Sequence, residues 1–237
     1  KDMIFRACFL DPFQGTVVAK LAIDDLGAQT CAILYDMGDD YVKGLAEYIQ
    51  SSFTDLGGEV LVYEAYTSTD TDFSAILGKV AAADPDVIFI PDYYDKVNLI
   101  ATQLNEKGIE KPLIGCDGWD SAELETDLIA EGYFSNHYSP TDERALVQDF
   151  IANYEAAYGS QPDALATLGY DAANMLIQAI KEADSTDATA IRDALATEEF
   201  EGVSGNITFD ANGDPIKSAA VVQIQDGVIS FYKFVAP

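Results

Sequence analysis

The sequence predicts an α/β protein built on a flavodoxin-like parallel sheet flanked by helices, followed by a helical part. Three observations carry this. From Met3 to Tyr138, short apolar runs rich in β-branched and aromatic residues alternate with amphipathic stretches of helical period, the pattern of consecutive βαβ units. The run 87–90 is apolar throughout, as a strand covered on both faces requires. From Asp142 to Ala196 the alternation stops and helical stretches follow one another with no strand between them, the change being marked by Ser139-Pro140.

The elements follow in order. A first strand is expected over 3–10, and Asp11 with Pro12 then starts a helix from about Gln14, whose Val17, Val18, Leu21 and Ala22 recur at helical spacing. A strand over 30–35, a helix over about 41–53 and a strand over 59–63 come next, the last introduced by the Gly57-Gly58 turn. Beyond the Ser/Thr/Asp-rich loop 67–72, Phe73, Ile76, Leu77 and Val80 form another helical stripe. After the run 87–90 come a helix over about 95–106, a short strand over 113–115 ahead of Cys116 and Asp117, and a helix-and-strand pair reaching Tyr138. The sheet so read has about five parallel strands.

In the second part Leu165, Leu168, Ala172, Leu176, Ala179 and Ala183 form one stripe, so this helix must bury a face against something. A strand near 205–209, a turn over 210–214, and strands over 219–225 and 228–234 joined by the Asp226-Gly227 hairpin turn close the chain.

Composition narrows the function classes. The chain has 237 residues, 49% of them hydrophobic, enough to bury a core. Forty-one acidic against thirteen basic residues give a formal net charge of −28, which repels phosphate backbones and anionic lipid headgroups, so no nucleic-acid partner is expected. Cys8, Cys31 and Cys116 lie far apart and fit neither a disulfide framework nor a zinc pattern; they read as small buried hydrophobes. No apolar run is long enough to span a bilayer, and the protein is expected to be soluble, with any export signal removed.

Several motif-like stretches carry no chemistry. Gly202-Val203-Ser204-Gly205 lacks the spacing of a nucleophile elbow. His137, the one histidine, reads as a structural residue at a strand end. Asp210 to Asp214 resembles half of a calcium loop but fails at the glycine and terminal glutamate positions, leaving a β-turn. Asn206-Ile207-Thr208 is a formal glycosylation sequon of little weight, and no phosphate loop or dinucleotide fingerprint is present. No cofactor, no metal site and no enzymatic activity are expected.

In an open parallel sheet, ligands bind beyond the carboxyl ends of the strands where the strand order reverses. For a flavodoxin-like order this selects the loops 36–41 and 91–95, with the loop after 113–115 beside them. Tyr41, Tyr93 and Asp117 would then converge, and Tyr94 and Trp119 are possible additions to the same pocket. A carboxylate accepts charge-assisted hydrogen bonds from an ammonium while aromatic faces attract the cation and pack an apolar body, so the set suits a primary amine. The residues also fit plainer roles: Tyr41 and Tyr94 as sheet-edge aromatics, Asp117 as a helix cap.

Phe5-Arg6, Asp11, Gln14-Gly15, Tyr41 through Gly44-Leu45-Ala46, Asp72-Phe73-Ser74-Ala75, Asp86-Val87-Ile88, Tyr93-Tyr94, Gly115 with Asp117-Gly118, and Phe209-Asp210 through Gly213-Asp214 follow one another along the whole chain. In order and spacing they resemble the leucine/isoleucine/valine-binding family of type I periplasmic binding proteins. The resemblance implies an extracytoplasmic protein, in the periplasm or as a cell-surface lipoprotein, that captures an aliphatic or small polar L-amino acid for an ABC importer and its membrane permease; a sensory ectodomain of the same fold is the alternative. It implies that Tyr41 and Tyr93 wall the pocket and that Asp117 receives the ligand ammonium, aspartate standing where the family's leucine binder has a longer glutamate.

By the same resemblance, residues 1–139 and 217–237 belong to the second lobe and 140–216 to the helical part of the first. Family members carry a further amino-terminal segment that builds most of the first lobe. The helices over 142–196 are therefore expected either to expose apolar surface or to be covered by that segment or by a partner chain.

Overall fold

The computed structural model describes residues 3–237. The alternating part resolves into α1 (Asp11–Lys20), β1 (Thr30–Asp36), α2 (Asp40–Asp55), β2 (Glu59–Tyr66), α3 (Ser74–Ala83), β3 (Val87–Phe89), α4 (Tyr94–Glu106), β4 (Leu113–Gly115) and β5 (Glu131–Asn136). The helical part holds α5 (Ala145–Tyr158), α6 (Ala164–Ala183) and α7 (Ala188–Thr197), then the short strands β6 (Phe200–Gly202), β7 (Gly205–Phe209) and β8 (Pro215–Ile216). The chain closes on β9 (Ala219–Gln225) and β10 (Val228–Val235). Two compact units result, one of Asp11–Ser135 with Val221–Tyr232, the other of residues 3–10 with Asn136–Ala220 and Lys233–Pro237.

The first unit is centred on a seven-stranded sheet in the order β10-β9-β5-β4-β3-β1-β2. The pairs β1–β2, β1–β3, β3–β4 and β4–β5 are parallel, with Ala32 opposite Ile88, Ile88 opposite Leu113, and Ile114 opposite Tyr133. The chain runs outward from β1 to β2 and then returns to the other side of β1, so the order reverses between β1 and β3, as expected for a flavodoxin-like sheet. One core cluster runs from Ala32, Leu34, Ile88 and Ile90 of the sheet to Leu77, Val80, Val97 and Ile100 of α3 and α4. Val17, Val18 and Leu21 with Leu45, Ile49 and Phe53 of α2 are fully buried as well, so the expected helical stripes are core stripes. At the amino end of the sheet the exposed Asp86 carboxylate accepts from the Gln29 and Thr30 main-chain N–H groups and from the Thr30 hydroxyl, tying the starts of β1 and β3 together.

Three expectations about local structure are corrected. Residues 3–10 form an irregular segment, not a strand: Ala7 packs with Leu168, Met175, Phe200 and Ile207, and the Arg6 N–H bonds to the Gly213 carbonyl, so the apolar run serves packing without a strand ladder. No helix precedes β5; two single turns, Asp117–Trp119 and Thr126–Leu128, occupy that place. Asn98 of α4 donates to the Glu123 carbonyl and accepts from the Glu125 N–H, satisfying main-chain groups that a helix would otherwise have paired.

The third correction concerns α6. Its buried face is Ala164, Thr167, Leu168, Asp171, Met175 and Ala179, so only Leu168 and Ala179 of the expected stripe are inside. The helix is turned because Asp171, fully buried, accepts hydrogen bonds from the Val203 and Ser204 main-chain N–H groups and so faces inward. Leu165, Leu176 and Ile177 are left exposed, Leu165 at 76%. Apolar surface on these helices is therefore present, as anticipated. All three cysteines are free, and Cys31 and Cys116 are buried. No helix among the described residues is long and apolar enough to cross a membrane.

Just after α7, Glu198 is buried with neither carboxylate oxygen in a hydrogen bond. Burial, assisted by the charge of Glu182, pushes its carboxyl up to about 7. A carboxyl whose folded value lies above its unfolded one binds more protons folded than unfolded between the two, so its contribution falls as pH rises from about 4.5 to about 7. Glu198→Gln is expected to match the parent near the acid end and to exceed it by roughly 1–2 kcal/mol at about pH 8. Chemical denaturation at the two pH values checks this, and an equal difference at both would remove the buried charge as the cause.

Candidate functional site

The loops leaving the carboxyl ends of β1, β3 and β4 meet at the switch point. The first runs into α2, whose amino end is capped by Asp39: its Oδ1 accepts from the Tyr41 and Val42 N–H groups at 2.9 and 3.0 Å. The cap stops the chain in extended geometry at Asp39 and starts the helix in register, which places Tyr41 in the first turn. The Tyr41 hydroxyl donates to Asp117 Oδ1 at 2.6 Å and accepts from the Gly118 N–H at 3.2 Å. The single hydroxyl proton is thus committed to the carboxylate. What Tyr41 has to offer a guest is its ring.

Tyr93 leaves β3 one residue before α4. Its N–H donates to Asp92 Oδ1 at 2.7 Å, and its ring lies 5.2 Å from that of Tyr41, tilted by 35°. Asp92 is buried and its other oxygen accepts from the Tyr66 hydroxyl at 2.6 Å. Burial outweighs these two hydrogen bonds and raises the Asp92 carboxyl above the ordinary range. Tyr41 ionises well above its usual value, first because it is buried and then because Asp117 faces it. Tyr93 is raised too, by burial and then by Asp39, Asp117, Asp92 and Asp11, so the surroundings of this half-exposed ring are strongly negative.

The structure therefore brings Tyr41, Tyr93 and Asp117 together, as the three loops predicted. It does not bring Tyr94 or Trp119 into the group. Tyr94 packs against the core of the sheet, and the charge of Glu123 raises its phenol above the usual value. Trp119 is wholly buried beneath the loop, its indole N–H donating to the Ile90 carbonyl at 2.9 Å. Space for that ring exists because residue 115 is glycine, where an added Cβ would lie 2.1 Å from the indole. Trp119 belongs to the support of the loop, not to a pocket wall.

Two groups were missed by sequence reasoning. Gln14, in α1, is 2% exposed and bonds to Asp117; Asp92 supports Tyr93 from beneath. Gln14 had a sequence signal, since it precedes Val17 and Val18 by three and four positions and so shares their buried face. His137 is buried and stacks on Phe9, with ring centroids 3.9 Å apart. Asp210 Oδ1 accepts from the Asn212 and Asp214 N–H groups, a turn closed by its own side chain. Among the described residues, no group of three or more His, Cys, Asp or Glu is placed to hold a metal ion.

Fold and site together define the class: a flavodoxin-like α/β protein with an acidic, aromatic cluster at its topological switch point. The model of the family described as periplasmic binding protein matches residues 1–228, and the chain belongs to that family. A leucine-binding protein from Thermotoga maritima is similar over the whole chain at 36% identity, with a TM-score of 0.90, and 69% of that structure is covered. The branched-chain amino acid transporter substrate-binding protein of Streptococcus pneumoniae, solved with isoleucine, is 33% identical with a TM-score of 0.88, covering all of this chain and 68% of that one. The leucine-, isoleucine-, valine-, threonine- and alanine-binding protein of Pseudomonas aeruginosa is 27% identical over 217 residues, 90% of this chain and 57% of the relative. The chain thus spans a little over half the length of that curated relative.

The dependence of the loop on Gly115 is open to test. Gly115→Ala is expected to destabilise the protein by about 3 kcal/mol, from overpacking against the indole and weakening of its bond to Ile90. Adding Trp119→Phe should recover part of the loss in denaturant unfolding; a double variant less stable than Gly115→Ala would contradict this packing.

Proposed function

We propose that this chain is part of an extracytoplasmic solute-binding protein that captures an aliphatic or small polar L-amino acid and delivers it to an ABC permease in the membrane. The observation that carries the reading is the cluster of Tyr41, Tyr93 and Asp117. A carboxylate held by neutral donors keeps its charge for a ligand ammonium, with which it forms charge-assisted hydrogen bonds. The tilted ring pair adds the attraction of aromatic faces for a cation and an apolar wall for an aliphatic side chain. Tyr41 and Tyr93 act as the wall and Asp117 as the ammonium acceptor. Their acidic surroundings favour the amino end of a zwitterion, so its carboxylate is held by other groups.

The similarity to binding proteins for branched-chain amino acids supports this substrate class, and binding without chemistry is the activity proposed. The outward-facing Leu165, Leu176 and Ile177 of α6 support a cover over the helices, from a further segment of the protein or from a partner chain.

Isothermal titration of the natural protein that carries this chain, with a panel of L-amino acids, tests the reading. At least one aliphatic member is expected to bind, and Asp117→Asn is expected to weaken it at least about 100-fold by removing the charge that pairs with the ammonium. Absence of heat with every member of the panel would remove the reading; retention of affinity by Asp117→Asn would remove the role given to Asp117.

A further inference from the structure

We propose that Gln14 is the positioning residue of this site, its side-chain amide setting the rotamer in which Asp117 receives a ligand ammonium. The proposal rests on the amino-acid-binding reading and adds a residue to it. Gln14 Nε2 donates to Asp117 Oδ1 at 3.0 Å, while its Oε1 accepts from the Asp117 main-chain N–H at 3.3 Å and from the Ser135 hydroxyl at 2.8 Å. Both ends of one amide are therefore bonded to the same aspartate, one to its backbone and one to its side chain. That closes a ring through the Asp117 Cα–Cβ bond and fixes its rotation.

The orientation of the amide follows from the donor inventory. A main-chain N–H can only donate, so the group facing it must be the amide oxygen, and the NH2 group is left facing the carboxylate. Ser135, at the end of β5, holds the same oxygen and anchors the amide to the strand neighbouring β4. The helix that carries Gln14 is itself set close to α2: an added Cβ on Gly15 would lie 2.7 Å from the Tyr48 Cβ. The two donors to Asp117 Oδ1, Gln14 from α1 and Tyr41 from α2, thus come from helices whose spacing is fixed at the residue next to Gln14.

The choice of glutamine matters electrically. A lysine or arginine could hold the carboxylate as firmly, but it would cancel the charge on which an ammonium depends. A neutral amide orients Asp117 and leaves its charge in place. Because the rotamer is already fixed, ligand capture does not have to freeze it.

The test compares the natural protein with Gln14→Met, which keeps length but removes donor and acceptor, and with Gln14→Glu. Calorimetry with L-leucine and L-alanine is run at about pH 7.5 and about pH 5, on either side of the range in which a paired carboxylate takes up a proton. Gln14→Met is expected to bind about tenfold more weakly at both pH values. Gln14→Glu is expected to be weak at the higher pH, where two carboxylates oppose each other, and to recover at the lower, where a protonated Glu supplies the missing donor to Asp117. Met within twofold of the parent, or a Glu variant equally weak at both pH values, overturns the proposal. If Gln14→Met does not fold, the acid recovery of Gln14→Glu decides. If the parent itself binds neither amino acid, the functional reading is what fails, and the Asp117 carboxyl titration by carbon-13 NMR decides for Gln14. A higher midpoint in Gln14→Met than in the parent then supports the positioning contact, and an unchanged midpoint refutes it.

Discussion

The hydrogen bond from the Tyr41 hydroxyl to Asp117 Oδ1 joins two loops whose strands, β1 and β4, are separated in the sheet by β3. It depends on a property that a parallel sheet has and an antiparallel one lacks: successive strands deliver their carboxyl ends to the same rim. It also depends on where the proton resides. Burial and the facing carboxylate push the Tyr41 phenol well above its usual range, so the proton stays on tyrosine and Asp117 is the acceptor. The Gly118 N–H completes the hydroxyl from the other side, which locks the β4 loop onto the start of α2. Tyr93, whose ring leans on Tyr41, takes its place from β3 between them.

The sheet and the rim were legible because they depend on short-range pattern. Val87, Ile88 and Phe89 are all buried, as a strand in the middle of a parallel sheet demands, and the crossover helices show their inner faces as residues three and four apart. Tyr41, Tyr93 and Asp117 could be grouped because each follows a recognisable strand closely and the switch-point rule puts the ends of those strands together. Gln14 obeys no such rule. It is 103 residues from Asp117 in the chain, and although its spacing to Val17 and Val18 marks it as inward-facing, that spacing does not identify the partner it meets. Trp119 erred in the opposite direction, since an aromatic in a loop beside the site reads as a wall, and only the glycine at 115 reveals that the ring drops into the core.

The same distinction explains α6. Hydrophobic periodicity alone chose the stripe of Leu165, Leu168, Ala172 and Leu176, yet the helix turns Asp171 inward. A buried carboxylate with two main-chain donors outweighs one or two leucines, because the Val203 and Ser204 N–H groups would otherwise be left unpaired in the interior. A polar residue with a fixed partner sets the phase, and the apolar residues take what remains. Periodicity identifies a helix reliably; it does not identify the inner face when a polar partner competes for it.

Net charge places a further constraint on what the site can select. A field from −28 charges exerts no net pull on a neutral zwitterion; it only turns the ammonium end toward the protein. At physiological ionic strength that influence is screened beyond about 8 Å, so distant carboxylates contribute little. Discrimination is then left to groups within a few ångströms of the rings, and those that act on Tyr93 are all acidic: Asp39, Asp117, Asp92 and Asp11. Of these, Asp92 is engaged by Tyr66 and the Tyr93 N–H, and Asp39 by the cap of α2. Asp117 accepts from Gln14 of α1 and from the Tyr41 hydroxyl of α2, and the Gly118 N–H of its own loop bonds in turn to that hydroxyl. Under the proposed function, these carboxylates turn the ammonium end of a zwitterion toward the rings, and Asp117, held by Gln14 and Tyr41, is where that end comes to rest.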